Sequence, residues 1–117
     1  MNIQNKNIVI TGAANGIGYA LSKRMSEESP KSISLIDIKS SLKEVARSLN
    51  ADSYIVDVSN EHDFQTVLKD IINKNGSIDL FCSNAGIQQF GTLETSTLDW
   101  QKNWDVNVMS HIMLLRY

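Results

Sequence analysis

The chain has 117 residues, 42% of them hydrophobic and 21% charged, the balance of a globular domain rather than a disordered segment. Eleven Lys and Arg stand against 13 Asp and Glu, a formal net charge of −2, which argues against a nucleic-acid or anionic-membrane surface because phosphate neutralisation needs clustered positive charge. Cys82 is the only cysteine, which excludes an internal disulfide framework and an all-cysteine metal site.

No apolar run approaches the roughly 18 residues of a membrane span. Met1-Asn2-Ile3-Gln4-Asn5 has no basic segment leading into an apolar one, so no signal peptide is expected and the expected compartment is the cytoplasm. The length corresponds to one domain, residues 1–117, that buries roughly two-thirds of its unfolded surface. That is too little for a sheet built from two βαβαβ halves. The sequence shows no internal repeat and no low-complexity tract.

Lys6 to Thr11 is a short β-branched apolar run, the pattern of a buried parallel strand. Gly12 to Gly18 is a glycine-rich turn. Ile17, Leu21 and Met25 follow at helical spacing, and Pro30 closes that region. Ser32 to Ile38 is a second apolar run that carries an acid near its end. Ser40 or Ser41 can cap a short helix bearing Leu42, Val45, Ala46 and Leu49. Ser53 to Val58 reads as a third strand. Ser59 or Asn60 caps the next helix, whose apolar face is Phe64, Val67, Leu68, Ile71 and Ile72, and Gly76 ends it. Ile78 to Ser83 reads as a fourth strand, with a loop from Asn84 to about Thr95. Thr95, Ser96 or Thr97 opens a helical stretch running to the last residue, with a break near Asp105. Its tail, Val108 to Leu115, is nearly apolar all round, and such a helix is expected to be buried.

Strict alternation of strands and helices with short loops implies right-handed crossovers and a parallel sheet covered on both faces. The expected fold class is α/β, a Rossmann-like doubly wound sheet of about four strands in the order 3-2-1-4, incomplete relative to a full sheet. A ligand site in such a sheet lies at the carboxyl ends of the strands, beside strands 1 and 4.

The chemistry-bearing residues fall at those ends. In Thr11-Gly12-Ala13-Ala14-Asn15-Gly16-Ile17-Gly18, Gly12 permits a tight turn, Gly16 lets backbone approach a phosphate, and Gly18 lets the helix pack on the sheet. Free N–H groups and the positive helix end then face a pyrophosphate. Taken alone, the glycines are equally compatible with a turn that binds nothing. Asp37, at the end of the second strand, can accept hydrogens from both hydroxyls of an adenine ribose. It also opposes a 2′-phosphate: two like charges ~4 Å apart cost about 4 kcal/mol at an effective dielectric of about 20, which favours NAD over NADP. Lys39, two residues on, softens that exclusion. Asp57 can accept from an adenine amino group while the Val58 N–H reaches a ring nitrogen; an acid there also serves as a helix cap. Asn84-Ala85-Gly86 leaves room for a flat ligand, and Asn84 can tie loops together. Cys82 reads as a small buried hydrophobe, His62 and His111 as surface or packing residues, and Trp100 and Trp104 as packing residues first and partner contacts second.

Together, the TGxxxGIG run of residues 11–18, Asp37, Asp57-Val58, Asn84-Ala85-Gly86 and Asn107 resemble the short-chain dehydrogenase/reductase family in order and spacing, over essentially the whole chain. The resemblance implies a Rossmann fold, a nicotinamide dinucleotide, and reversible hydride transfer between a small-molecule alcohol and a ketone. It implies that Gly12, Asn15, Gly16, Ile17 and Gly18 form the pyrophosphate loop and that Asp37 selects NAD. Asn15 stands where NADP-preferring members often carry a basic residue. Asp57 and Val58 become adenine contacts, Asn84, Ala85 and Gly86 line the nicotinamide ribose, and Asn107 holds a water in the proton relay. The matching tail helix of the family contributes to a subunit interface, which implies a homo-oligomer.

One departure accompanies the resemblance. The family's catalytic Ser and Tyr-x-x-x-Lys lie downstream of the position matching Asn107, and Tyr117 has no residue four positions on to supply the lysine. The chain is therefore expected to correspond to the N-terminal half of such an enzyme and to be inactive alone. Two other classes stay open: a non-catalytic dinucleotide-binding module, and an S-adenosylmethionine-dependent methyltransferase, which also places an acid after its second strand. The TGxxxGIG spacing and Asn84-Ala85-Gly86 count against the latter.

Overall fold

The computed structural model describes residues 2–89 and 91–116; Met1, Phe90 and Tyr117 lie outside the described residues, and with Tyr117 the expectation attached to it. Four parallel strands, β1 (Asn7–Thr11), β2 (Ser32–Asp37), β3 (Asp52–Ile55) and β4 (Leu80–Cys82), form one sheet in the order β3-β2-β1-β4. Helices α1 (Gly16–Ser26), α2 (Leu42–Ser48) and α3 (Glu61–Asn75) connect them, and β4 leads on to α4 (Thr97–Trp104), a π-helical segment (Asp105–Met109) and α5 (Ser110–Leu115). This is a Rossmann-like doubly wound sheet.

Strand alternation divides the core in two. Ile8, Ile10, Ile33 and Leu35 point to one face, where Leu42 and Ala46 of α2 cover them and Leu21 and Met25 of α1 pack alongside. Val9 and Ile36 point to the other, against Phe64, Leu68 and Ile71 of α3, Val106, and Met113 of α5. Every residue of β1 is buried, as a central strand flanked by helices on both faces requires. The Phe64 and Phe81 rings meet edge to face, 6.4 Å between centroids. Cys82 is half-buried beside the first of these clusters, and burial pushes its thiol pKa up. That fits the small-hydrophobe reading.

The structure departs from the sequence reading in several places. β3 ends at Ile55, so Asp57 and Val58 lie in the connection beyond the strand. β4 covers only Leu80–Cys82 of the Ile78–Ser83 run. In α1, Gly18 and Ser22 are the buried pair, while Ile17 is 72% exposed. A Cβ on Gly18 would overlap the Gly12 carbonyl, and Ser22 turns its hydroxyl back onto the Gly18 carbonyl at 2.7 Å, so the inward positions hold small residues. The tail is not buried all round: Met113 is in the core, but Leu115 is 84% exposed. Trp100 and Trp104 are exposed rather than packed. The break near Asp105 is a widening into the π-helical segment, and Ser96 is the residue that caps α4, its Oγ accepting from the Asp99 N–H at 3.1 Å. Among the described residues, no helix is long and apolar enough to cross a membrane.

Candidate active site

The register of the sheet puts the ends of β1 and β2 side by side, Thr11 opposite Ile36, with Asp37 one residue further on. Gly12 leaves β1 with a φ of +66°, the left-handed region that favours glycine. A Cβ there would also fall 2.9 Å from the Ala85 Cα. A Cβ on Gly18 would overlap the Gly12 carbonyl oxygen. These two glycines therefore let the first turn fold tightly against α1 and the end of β4.

Asn84 locks this junction. Its side-chain Nδ2 donates to the Thr11 carbonyl at 3.1 Å and to the Gly12 carbonyl at 3.4 Å. The backbone N–H groups of Asn84 and Ala85 both donate to Thr11 Oγ1, each at 3.0 Å. Thr11 is 1% exposed, so its hydroxyl is the buried acceptor on which the β4 exit hangs. It is the first residue of the TGxxxGIG run, yet no role for it was legible in the sequence.

Asp37 turns both carboxylate oxygens onto backbone. Oδ2 accepts from the Ala14 N–H and Oδ1 from the Lys39 N–H, each at 3.0 Å. The carboxylate is thereby fixed at the edge of the glycine turn. Asp57 is exposed, and its Oδ1 accepts from the Ser59 N–H at 2.9 Å and the Ser59 hydroxyl at 2.7 Å. Asn60 caps α3 through Oδ1, which accepts from the Asp63 N–H at 3.2 Å. Helix α1 differs from α3 and α4: Asn15 precedes it with no side-chain cap, and its first turn holds no acidic residue. The N–H groups of that turn are left for an outside acceptor.

At the carboxyl ends of the strands these residues surround a cavity of about 470 Å³. Gly12, Asn15, Gly16, Ile17, Asp37, Asp57, Val58, Asn84, Ala85 and Gly86 all line it. Gly18 does not; it lies behind the turn as the packing residue. Asn107 does not line it either. Its Nδ2 donates to the Ile87 carbonyl at 2.8 Å and its Oδ1 accepts from the Ile87 N–H at 2.9 Å. Ile87 does line the cavity, so Asn107 acts on its wall at one remove. Ile38, Lys39, Val56, Lys102 and Val106 complete the lining. Lys39 is the residue the sequence already sets beside Asp37; Ile38 directly follows Asp37 and Val106 directly precedes Asn107, which is the signal that would have found these two. Lys102 and Val56 carry no local motif.

A Tyr-x-x-x-Lys spacing does occur at Tyr19 and Lys23, upstream of Asn107. Both are on α1, and Tyr19 faces a separate shallow depression with Glu44, Val45 and Ser48. His111 Nδ1 lies 2.5 Å from Ser83 Oγ, a side-chain hydrogen bond just beyond β4 that the surface-or-packing reading of His111 did not foresee. Among the described residues no group of His, Cys, Asp and Glu is arranged to hold a metal ion.

A family model described as short chain dehydrogenase matches residues 6–117. The chain belongs to the short-chain dehydrogenase family. It is 35% identical over 112 residues to meso-2,3-butanediol dehydrogenase of Serratia marcescens, a match covering 92% of this chain and 45% of that enzyme. It is 29% identical over 117 residues to NAD-dependent glycerol dehydrogenase of Listeria innocua, covering 97% of this chain and 46% of the relative. Among solved structures it is similar to L-sorbose reductase from Gluconobacter frateurii, complexed with NADPH and L-sorbose. That likeness has a TM-score of 0.92 at 29% identity and covers 99% of this chain and 48% of that one. This short-chain dehydrogenase chain thus spans about half the length of the curated relatives it matches.

Proposed function

We propose that residues 1–117 form the cofactor-binding half of an oxidoreductase that transfers hydride between a small-molecule alcohol and a ketone, with NAD preferred over NADP. The observation that carries this reading is the uncapped start of α1 opening onto the 470 Å³ cavity with the fixed carboxylate of Asp37 on its rim. A nicotinamide dinucleotide bound there supplies the hydride acceptor and donor. The amides around Gly16, where an added Cβ would meet nothing within 4 Å, leave an open approach for its pyrophosphate. Gly12 and Gly18 hold that turn in shape, and Asn15 and Ile17 flank it.

Asp37 has two lone pairs beyond its backbone bonds with which to grip the ribose hydroxyls. Its negative charge disfavours a 2′-phosphate. Asp57 and the Val58 N–H meet the adenine edge, and Asn84, Ala85 and Gly86 form the floor beneath the nicotinamide ribose. Asn107 acts as a positioning residue through Ile87, and the proton relay implied for it belongs with groups downstream. The tail, with Leu115 and Ile112 outward, supports a homo-oligomeric assembly.

Calorimetric titration tests the reading. The 117-residue chain is expected to bind NAD at micromolar concentration, to leave S-adenosylmethionine unbound, and to show no NADH production with secondary alcohols. No NAD binding at millimolar concentration overturns the cofactor assignment, and turnover by these residues alone overturns the assignment of the chemistry to residues beyond Asn107.

A further inference from the structure

We infer that His111 is a positioning residue for the cavity wall: through Ser83 it holds the helical widening that presents Asn107 to Ile87. The inference rests on the dinucleotide reading and deepens it. Two ties join the segment after β4 to the helical stretch, and they run in opposite order. Ser83 Oγ lies 2.5 Å from His111 Nδ1, and the backbone of Ile87 meets the Asn107 side chain through two bonds of 2.8 and 2.9 Å. Ser83 and Ile87 are four residues apart, as are Asn107 and His111, so the ties close on Asn84-Ala85-Gly86 from both ends. Those three residues line the cavity. Ala85 and Met109, at the middle of the two tied stretches, pack on the same apolar cluster. A Cβ on Gly86 would come within 3.3 Å of Asn107 Oδ1.

The helix at the ties is not regular. Asp105–Met109 is π-helical, and the Ser110 N–H bonds to the Asp105 carbonyl five residues back. Ser110 Oγ donates to the Val106 carbonyl at 2.7 Å. An α-helix turns about 100° per residue. Reversion of the widened turn to α geometry would rotate His111 against Asn107, and the two ties could not both be kept. Asn107 lies inside the widening and His111 two residues past its end. His111 is half-buried and is the anchor on the far side. Neither Ser83 nor His111 lines the cavity, so their effect on binding passes through the wall.

The test titrates two probes calorimetrically into the 117-residue chain. In the proposed binding mode NAD reaches Asn84-Ala85-Gly86, whereas ADP stops at the pyrophosphate. His111→Phe keeps a ring and removes the nitrogen that Ser83 meets. It is expected to weaken NAD about fivefold, the worth of one neutral hydrogen bond, while ADP changes by less than about twofold. His111→Asn restores a polar atom close to the Nδ1 position and is expected to return NAD to within about twofold of the parent. In an Asn107→Ala background, His111→Phe is expected to weaken NAD by less than about twofold more, because both residues act on one wall. Ser83→Ala breaks the same tie by removing one oxygen, and it decides the question if the phenylalanine variant fails to fold. A bond that only stabilises the fold lowers the urea midpoint and leaves the ratio of NAD to ADP affinity within about twofold of the parent. That result in His111→Phe and Ser83→Ala overturns the role of His111 while the dinucleotide reading stands. Failure of the unaltered chain to bind NAD overturns both.

Discussion

Thr11 concentrates two backbone bonds on one buried oxygen. Its hydroxyl accepts the N–H groups of Asn84 and Ala85 in a position that water does not reach. Thr11→Val keeps the shape and removes the acceptor, leaving two donors unpaired. The expected loss is about 2–3 kcal/mol, because an orphaned buried donor forfeits its hydration without replacement. Thr11→Ser keeps the oxygen and is expected to stay within about 1 kcal/mol of the parent, the scale of one lost methyl group. Urea denaturation of the three proteins measures both. Equal stability of the valine and serine variants would show that the hydroxyl does not carry the junction. The same residue explains why Asn84 matters: its amide and its side chain both reach back to Thr11 of β1, so the cavity wall after β4 is tied to the end of β1.

At the scale of elements, the wall of the cavity depends on a helix irregularity. The helical stretch after β4 widens into the π-helical segment at Asp105–Met109, a departure often found at functional sites. Asn107 lies within it, and its amide matches both backbone groups of Ile87 like the rung of a strand pair. Asn107→Ala removes both bonds from an exposed position, so the stability cost is about 1 kcal/mol. The larger effect is on binding: with Ile87 released, NAD affinity is expected to fall several-fold in calorimetry. Asn107→Asp keeps the acceptor and loses the donor, and is expected to fall between. If Asn107→Ala left NAD affinity unchanged, the wall formed by Ile87 would not contribute to cofactor binding. By contrast, α3 and α4 begin on their own side-chain caps, Asn60 and Ser96. Their N-termini are self-satisfied, and α1 alone among these three starts without one.

On the scale of the whole molecule, β4 is three residues long and, among the described residues, pairs only with β1. Its other edge has no partner strand among the described residues, although Leu80, Phe81 and Cys82 are apolar. Leu98, Trp100, Trp104 and Leu115 are more than half exposed on α4 and α5, which follow it. An open apolar edge beside such a surface favours association. The 117-residue chain is expected to sediment as dimers or larger species at micromolar concentration. A single, stable monomer in analytical ultracentrifugation would contradict this.

Much of the fold was written in the order of residues: β-branched runs, a glycine turn, capped amphipathic helices and their strict alternation point to a parallel sheet, and its order 3-2-1-4 follows from the doubly wound topology. Those signals are local, carried by neighbours a few positions apart. The glycine turn, Asp37, Asp57 and Asn84 were legible as residues that line one cavity for the same reason, since topology sends every strand end to one rim. Distance along the chain hid the rest. That Thr11 would carry Asn84, that Asn107 would reach Ile87 instead of the cavity, and that Ile17 would face outward while Ser22 went in are decided by which surfaces meet. Only the packed sheet brings together groups that the sequence keeps far apart, because close approach and hydrogen-bond satisfaction are properties of the assembled core.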